Sequence, residues 1–379
     1  MITNLYVQNF KSLKEIDLKM RHLTLLTGLN GSGKSSLIQV LLLLRQSKYY
    51  LREGILKLRP NINDKLFDAG AAEDIYYYKA TYPEIIFGIG YSDYDDLSWK
   101  FAYNNDRGYS DILECEKMYI YSEKILDKRQ PFVDDNFQYL YAERTIPMSA
   151  YVASIENVVK RKTLGVTGEH TAFYLEIYGI HQKITNTHLQ HPKAENNSLI
   201  AQTNAWLSEI SPNISIETKI VSDGLAVDLK YNFGVKAFKP QHVGFGISYA
   251  LPVIVALLTA QEGKLIIIEN PESHVHPRGQ AALGRLLAAA TQTGAQIIVE
   301  THSDHILNGI RVALKEKIAK PEDVIAYYFK KNENESCSEI TPILIDEKGK
   351  LRSKVDNEIS AELPKGFFDE WTNSMFKLL

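Results

Sequence analysis

A glycine-rich segment near the start of the chain has the residue types and spacing that bind phosphate. It reads GLNGSGKSS, from Gly28 to Ser36, and lies between an apolar run and a long apolar stretch that begins after Lys34. Glycines let backbone N–H groups converge on phosphate oxygens, and a following helix directs the positive end of its dipole at the anion. The match to G-x-x-x-x-G-K-[ST], the Walker A pattern, predicts a nucleotide-binding loop between a strand and a helix.

Several positions of this loop have predicted roles in binding ATP and Mg²⁺. Lys34 would reach the outer phosphates as a point charge, and Ser35 would be a ligand of Mg²⁺. The remaining predicted ATP-binding residues of the loop are Asn30, Gly31, Ser32, Gly33 and Ser36. ATP with Mg²⁺ is therefore the expected ligand.

A carboxylate far downstream can complete such a site. The apolar stretch LIII runs into Glu269, and an acid at the end of a buried strand holds the water shell of Mg²⁺ opposite Ser35 in nucleotide-hydrolysing enzymes. We therefore predict Glu269 as the second metal-side residue. The next residue is Asn270, where many such enzymes have a second acid, so hydrolysis depends on what activates the attacking water.

Two residues compete for that water. Because Pro271 favours an extended conformation for the residue before it, Asn270 and Glu272 are expected to share one side of the chain and Glu269 the other. The amide oxygen of Asn270 can hold a water, and Glu272 can take a proton if the loop brings it within roughly 3 Å. This pattern predicts slow ATP hydrolysis.

Histidines beside this segment raise the alternative of a dedicated metal site. Glu272, His274 and His276 alternate along the chain, a spacing that differs from the helical H-E-x-x-H pattern, and no cysteine accompanies them. We interpret the segment instead as a loop that leads into a helix at Pro277 and lies at a dimer interface.

Periodic patterns place these motifs in an α/β fold. Residues 2–8 and 14–27 alternate like paired strands, and the tyrosine-rich text from about 68 to 130 predicts antiparallel strands. After residue 240 the pattern becomes helix, buried strand, helix, buried strand, which indicates parallel strands with crossover helices. The polar stretch at 187–198 predicts an exposed, mobile loop.

Composition excludes several classes of protein. The chain has 379 residues, 45% hydrophobic and 23% charged, which is typical of soluble globular proteins. Its net charge of -3 requires any nucleic-acid contact to come from a local patch, and the basic run at 160–162 is interpreted as a solvated face. Cys115 and Cys337 lie far apart, which is typical of a reducing compartment, so we expect a cytoplasmic location. The longest apolar stretch, 250–258, is shorter than the ~20 residues of a membrane helix.

The motifs together resemble a RecF/SMC-type ABC ATPase. The resemblance is carried by NFKSLKEIDLKMRHLTLLTGLNGSGKSSLIQVL, VGFGISYALPVIVAL, LIIIENPESHVHPRGQAAL and IIVETHSDHILN. The chain is still more similar to the compact ATPases grouped with the OLD family and to AAA ATPases of bacterial phage-defence loci. Within YLYAERTIPMSAY (139–151), Arg144 matches a recurrent arginine of that group. The carboxyl-terminal stretches VIAYYFKK and LPKGFFDEW resemble the tail of one of its subfamilies.

The resemblance implies further site residues by position. The segment GFGIS, with Gly244, Gly246 and Ser248, stands where these proteins have the signature segment that closes on the γ-phosphate held by a second subunit. His302 matches the switch histidine, which contacts the γ-phosphate and orients the attacking water. The chain is therefore expected to be at least a dimer, with an ABC-type (P-loop) ATPase head with mixed sheet from residues 1–50 and 236–379, and an inserted region, β-rich and then α+β, at 51–235.

Three functions follow from the resemblance. The first is an ATPase that dimerises around ATP and controls a separate effector protein, such as a nuclease, in anti-phage defence. A separate effector is expected because residues 303–379, interpreted as a strand pair and a closing helix, are too few for the nuclease domain of OLD-type proteins. The second is a non-hydrolysing ATP-dependent binding switch. The third is a RecF/SMC-like DNA-maintenance ATPase, although sustained heptads are absent from the sequence.

Overall fold

Two compact units make up the chain. The computed structural model describes residues 1–60, 66–92, 96–103, 111–120, 136–355, 358–369 and 375. The first unit comprises Met1–Phe132, Ile325–Leu344 and Leu351–Leu379, and the second comprises Val133–Val324 and Ile345–Lys350. The Gly28–Ser36 loop therefore belongs to the first unit, and Glu269 and His302 belong to the second.

The amino-terminal part of the first unit is an antiparallel sheet with one long helix. Its elements are β1 (Ile2–Phe10), β2 (Leu13–Lys19), β3 (Leu23–Gly28), α1 (Lys34–Gln46), β4 (Ile55–Lys57), α2 (Ala72–Ile75), β5 (Glu84–Tyr91), β6 (Leu97–Ala102) and β7 (Ile112–Ile120). The strand order is β2-β1-β5-β6-β7-β4, and the pairing is antiparallel. The predicted antiparallel strands are confirmed, and the parts of the prediction at 93–95, 104–110 and 121–130 lie outside the described residues.

The apolar helix α1 is buried around almost its whole circumference. The run from Val40 to Leu44 is fully inside, and even Arg45 and Gln46 are buried. A helix that is apolar on every side must be covered by other elements, so this burial is what its sequence predicts. The start of α1 at Lys34 is thereby held on a rigid support directly after the phosphate loop.

The second unit combines a parallel sheet with an antiparallel one. Its elements are β8 (Phe137–Leu140), β9 (Tyr151–Val152), α3 (Thr171–Tyr178), α4 (Leu199–Ser208), β10 (Ile214–Val221), β11 (Ala226–Phe233), β12 (Lys236–Phe238), α5 (Phe245–Leu258), β13 (Leu265–Glu269), α6 (Pro277–Ala290), β14 (Gln296–Glu300) and α7 (Asp304–Lys315). β13 pairs in parallel with both β8 and β14, while β9, β10 and β12 belong to the antiparallel sheet around β11. The predicted crossover from β13 through α6 to β14 is confirmed.

The polar stretch at 187–198 is mostly exposed, as predicted, but a few of its side chains are buried. Leu189 is 1% exposed and His191 is 8% exposed. The indole N–H of Trp206 donates to the carbonyl of Leu189 at 2.9 Å. Leu189, His191 and the bond to Trp206 connect the segment to α4, and the polar composition does not predict these contacts.

The first unit is completed by strands from the carboxyl-terminal part of the chain. These are β15 (Val324–Asn332), β16 (Cys337–Ile345), β17 (Leu351–Val355) and β18 (Glu358–Ser360). β15 lies beside β3, and the order continues through β16 and β17 to β18. Within residues 303–379, α7 and four strands are found where a strand pair and a closing helix were predicted, and residues 356–357, 370–374 and 376–379 lie outside the described residues.

Parallel and antiparallel strands with covering helices confirm the predicted α/β class with a mixed sheet. Within the described part of the chain, no helix combines the length and the apolar character that crossing a membrane requires.

Candidate functional site

The phosphate loop joins β3 to α1 through backbone conformations that require glycine. Gly28 has φ 137°, and a Cβ there would collide with the carbonyl oxygen of Phe329 on β15. Gly33 has φ 100° and is the N-cap of α1, and a Cβ at this position would collide with the hydroxyl of Ser338. An alanine at either position would therefore be both strained and crowded.

Lys34 lies under the loop and is almost completely buried. Its exposed fraction is 3%, and its ammonium group donates to the carbonyls of Gly28 and Leu29 at 3.0 and 2.8 Å. The hydroxyl of Ser32 donates to the same carbonyl of Leu29 at 2.7 Å. The loop is thus closed by its own side chains, with a positive charge held beneath it.

The outer side of the loop is open. Asn30, Gly31 and Ser35 are exposed, and Ser36 is half-buried. Nothing lies within 4 Å of the position a Cβ would take on Gly31. A buried lysine, a helix start capped by a glycine and an exposed serine hydroxyl fit a triphosphate and its Mg²⁺, because Mg²⁺ prefers oxygen ligands and retains phosphates and waters.

A pair of serines beside this loop was not predicted from the sequence. The hydroxyls of Ser12 and Ser338 lie 2.9 Å apart, and the N–H of Ser338 donates to the carbonyl of Ser12 at 2.8 Å. Both hydroxyls border Gly33. No local pattern could have revealed the pair, since 326 positions separate the two residues.

In the second unit, Glu269 ends the central parallel strand in a buried environment. Every residue of β13 is buried, and Glu269 is 7% exposed. Its carboxylate accepts a hydrogen bond from the hydroxyl of Tyr139 on β8 at 2.8 Å. The carboxylate is therefore oriented by a neighbouring strand, and Tyr139 is a site residue that sequence reasoning missed.

Arg144 binds the same residue through its backbone. Its guanidinium donates to the carbonyl of Glu269 at 2.8 Å, and the arginine is 4% exposed. Its Nε and Nη1 have no hydrogen-bond partner among the described residues. Burial lowers the pKa of Arg144 to about 10, opposed by the nearby carboxylates of Glu269 and Glu272. Arg144, which the resemblance identified, therefore stabilises the backbone of Glu269 through this hydrogen bond.

Burial also controls the charge of Glu269. It raises the pKa of this carboxyl group to about 7, and the charge of Glu300 adds to the rise. The hydrogen bond from Tyr139 and the charge of Arg144 act in the opposite direction. A buried carboxylate of this kind gains from a bound cation, because the cation compensates for lost hydration.

The predicted extended conformation of Asn270 is wrong. Asn270 has φ 45°, in the left-handed region, and its N–H donates to the carbonyl of Glu300 at 2.8 Å. Asparagine tolerates this region better than most residues, and the following Pro271 disfavours the right-handed helical alternative. The simple alternation that would place Asn270 and Glu272 on one side and Glu269 on the other therefore does not apply. The side-chain oxygen of Asn270 is buried without a hydrogen-bond partner among the described residues.

Glu272 is connected directly to the segment that contains Thr301 and His302. One carboxylate oxygen accepts from the backbone N–H of His302 at 2.7 Å, and the other accepts from the hydroxyl of Thr301 at 2.8 Å. Burial raises the pKa of Glu272, and the bond from His302 lowers it. His302 itself is exposed and precedes α7. The structure thus brings Glu269, Asn270, Glu272 and His302 together within two adjacent strand ends.

The predicted signature segment occupies the start of α5. Gly244 is the exposed N-cap, with nothing within 4 Å of a Cβ position, whereas a Cβ on Gly246 would collide with the carbonyl of His274. Ser248 is buried, with its hydroxyl 3.4 Å from that of Tyr231. Gly244 therefore faces outward, Gly246 allows close packing on the 272–275 turn, and Ser248 faces the interior.

The described residues include no group of three or more His, Cys, Asp or Glu side chains that could hold a metal ion. A Mg²⁺ ion bound here would therefore depend on few protein ligands together with phosphate oxygens. That is the usual coordination of this ion in nucleotide sites.

Three family models match separate parts of the chain. The "AAA ATPase domain" model matches residues 1–158 and includes the phosphate loop. The model described as "AAA domain, putative AbiEii toxin, Type IV TA system" matches residues 221–308, which include Gly244, Glu269 and His302. A model described as "Protein of unknown function (DUF3696)" matches residues 319–378. A search of curated proteins finds no match.

Solved structures of similar fold include SMC head domains. An SmcHead bound to the C-winged helix domain of ScpA has a TM-score of 0.51 at 13% identity and covers 90% of this chain and 97% of its own. A second Smc head with an extended coiled coil, bound to the C-terminal domain of ScpA and derived from Pyrococcus furiosus, has a TM-score of 0.50 at 13% identity, with 90% and 96% covered. The fold is therefore the one that the resemblance to RecF/SMC-type ABC ATPases predicts, and the link to phage-defence loci stays a prediction.

Proposed function

We propose that this RecF/SMC-like ABC-type ATPase binds ATP with Mg²⁺ and hydrolyses it slowly. The observation that carries the proposal is the phosphate loop, in which Gly33 and the buried Lys34 form a positively charged cradle at the start of α1. Such a loop buries a positive charge, and a bound triphosphate compensates for it.

Residues of both motifs have proposed roles in binding the phosphates and Mg²⁺. The loop residues Asn30 to Ser36 bind the phosphates, with Lys34 as the charge, and Ser35 and Glu269 hold Mg²⁺. Bound Mg²⁺ supplies a positive charge that compensates for the charge on the phosphates. Tyr139 and Arg144 keep Glu269 in place, which restricts its motion while ATP is bound.

The attacking water is assigned to the segment that Glu272 organises. His302 orients the water and contacts the γ-phosphate, and Glu272 holds the backbone of His302 in position through its 2.7 Å bond. Asn270 provides an amide oxygen that can hold a water but take no proton. Because both oxygens of Glu272 already accept hydrogen bonds, proton transfer to it is hindered, which supports a low rate.

We further propose that ATP brings two copies together. Gly244 exposes the positive end of α5, and Gly246 keeps this helix start close to the 272–275 turn. A helix start of this kind is suited to a phosphate held by a second copy. Dimerisation would then report ATP occupancy to a separate effector protein. The described SMC heads carry a bound ScpA domain, and this supports a partner for the present chain as well.

A role in anti-phage defence within the cytoplasm is the wider setting that we propose. It is supported by the description of the model matching residues 221–308, which names a toxin of a type IV toxin–antitoxin system. The head would be built from residues 1–50 and 236–379, with 51–235 inserted. A DNA-maintenance function is less well supported, because the longest helices in the described part of the chain, α5 and α6, have 14 residues each.

One observation favours a second candidate, a non-hydrolysing ATP-dependent switch. Asn270 stands where many nucleotide-hydrolysing enzymes have a second acid. Its backbone is left-handed, and its side-chain oxygen is buried. In that case ATP would hold the dimer closed without turnover. The two candidates differ in phosphate release and agree on ATP-dependent dimerisation.

Phosphate release by the purified full chain tests the proposal. We expect slow Mg²⁺-dependent release that ends on adding EDTA, together with an ATP-dependent dimer measured by light scattering. Glu269→Gln should lower release at least tenfold and retain ATP binding, and Glu143→Gln is the matched control on an exposed neighbouring segment. An ATP-dependent dimer without phosphate release would support the non-hydrolysing switch. The absence of ATP binding would reject both candidates.

A further inference from the structure

A cavity of about 610 Å³ opens in the second unit away from the proposed ATP-binding residues. Its walls come from the 187–193 segment, from one side of α6 and from α7. Its volume lies within the roughly 300–1,000 Å³ range of small-molecule sites. None of the proposed ATP or Mg²⁺ residues lines it.

The wall contributed by α6 combines small and basic side chains on one stripe. Arg278, Ala282 and Arg285 follow the helical repeat, so they face the cavity together. Alanines leave the space open, and Val312 on α7 adds an apolar surface that is 48% exposed. Trp206 and His191 provide aromatic surface, with their rings 5.0 Å apart.

The charges that line the cavity favour an anion. Lys193, Arg278 and Arg285 are the basic Lys and Arg residues of the lining, and Glu209 is its one acidic residue. Glu209 pairs with Lys193 and Arg278 at 3.7 and 3.4 Å. Arg285 pairs with Glu316, which lies outside the lining. Three cations against one carboxylate leave the lining positive.

The helices that form the cavity directly follow the two segments that contain Glu272 and His302, which we propose to be catalytic. α6 begins at Pro277, directly after the segment that contains Glu272, and α7 begins two residues after His302. Gln280 of α6 donates to the carbonyl of Val275 at 2.7 Å and accepts from the hydroxyl of Ser303 at 2.5 Å. A shift of α6 would therefore be transmitted to both segments.

The two helices pack with their backbones in close contact. A Cβ on Gly309 would collide with the carbonyl of Ala281, and a Cβ on Gly284 would collide with that of Ile306. Such close packing leaves little freedom for one helix to slide without the other. A ligand that shifts α6 would therefore also shift α7, and the shift would reach the amino-terminal ends of both helices.

We propose that this cavity binds a small anion with an apolar body, and that its occupancy changes ATP turnover. The apolar body packs on Ala282 and Val312, and the anionic group pairs with Arg278 and Arg285. Carboxylates and phosphates share this chemistry. The effect on turnover rests on the proposed function, whereas binding does not.

Isothermal titration of the nucleotide-free full chain tests the binding. The probes are decanoate, decyl phosphate and, as a cation with the same apolar body, decyltrimethylammonium, all below their micelle concentrations. We expect one anion per chain and at least tenfold weaker binding of the cation. The tighter of the two anions identifies the preferred head group. Equal affinity for anion and cation would overturn the proposal.

Variants locate the binding in this cavity. Ala282→Trp should abolish it by filling the space, and Val312→Glu, at an exposed position that tolerates substitution, should abolish it by charge. Arg285→Gln should weaken it roughly fivefold. Lys315→Gln is the matched control, on α7 but outside the lining. Unchanged affinity in both Ala282→Trp and Val312→Glu would reject the site.

Turnover is measured separately. Saturating decanoate should change phosphate release at least twofold in the parent chain and leave Val312→Glu unaffected. If release is unchanged while binding persists, the coupling is rejected and the site stands. If the chain releases no phosphate, the proposed hydrolysis fails, and titration still decides the binding.

Discussion

The carboxylate of Glu272 accepts a hydrogen bond from the backbone N–H of His302 at 2.7 Å. This bond joins the turn after β13 to the segment after β14. It means that the position of His302 depends on a residue 30 places earlier in the chain. The two segments, which we propose to be catalytic, are therefore one structural unit, and their variants should behave alike.

The first prediction concerns this connection. Glu272→Ala should lower phosphate release about tenfold, because both His302 and Thr301 lose a charge-assisted bond. Thr301→Val removes one of the two bonds and leaves the carboxylate in place, so release should fall about threefold. Steady-state phosphate release measures both. If Glu272 only accepted a proton, Thr301→Val would leave the rate at the parent value.

The second prediction concerns the charge beneath the phosphate loop. Lys34→Met keeps the aliphatic stem and removes the ammonium group, so the affinity for ATP with Mg²⁺ should fall about tenfold or more. Lys19→Met, on the exposed side of β2, is the matched control. Fluorescence titration with a labelled ATP analogue gives both affinities. Equal losses in the two variants would contradict a specific role for Lys34.

The third prediction concerns the orientation of Glu269. Tyr139→Phe removes the hydroxyl that donates to its carboxylate, so the concentration of Mg²⁺ for half-maximal release should rise roughly tenfold. Tyr141→Phe, 42% exposed on the same segment, should leave it unchanged. A magnesium titration of phosphate release distinguishes the two. An unaltered Mg²⁺ requirement in Tyr139→Phe would separate Glu269 from the metal.

The fourth prediction concerns Arg144. Arg144→Ala should lower the free energy of unfolding by about 3 kcal/mol, because the buried carbonyl of Glu269 loses its donor and the neighbouring carboxylates lose a cation. Arg144→Lys should recover part of this loss. Arg161→Ala, at a partly exposed ion pair, should cost less than about 1 kcal/mol. Urea unfolding measures all three, and equal losses for Arg144→Ala and Arg161→Ala would be against the assigned contact.

The fifth prediction separates two glycines of the predicted signature segment. Gly246→Ala should destabilise the fold by about 1–3 kcal/mol, because its Cβ would collide with the carbonyl of His274. Gly244→Ala has open space and an ordinary negative φ, so stability should be retained. Gly244→Ala should nevertheless weaken the ATP-dependent dimer, which light scattering measures. An unchanged dimer in Gly244→Ala would place the interface elsewhere.

Local patterns were sufficient for much of the fold and for the outline of the site. The loop from Gly28 to Ser36 and the acid at the end of β13 were predictable from residues close together in the chain. Positive φ angles favour glycine, and a buried strand favours a run of apolar residues. The crossover from β13 to β14 was predictable for the same reason. The conformation of Asn270 was not, because Pro271 excludes one region and leaves the choice of the others to the packing.

The sequence by itself therefore determined the phosphate loop, the buried strand that ends at Glu269 and the α/β class, since each depends on neighbours within a few residues. Only the tertiary structure decided that Tyr139 and Arg144 hold Glu269, that Ser338 borders Gly33, and that His191 is buried beside a cavity. Those relations join residues that are distant in the chain. They arise from how whole elements pack, and packing is a property of surfaces that no single stretch of sequence contains.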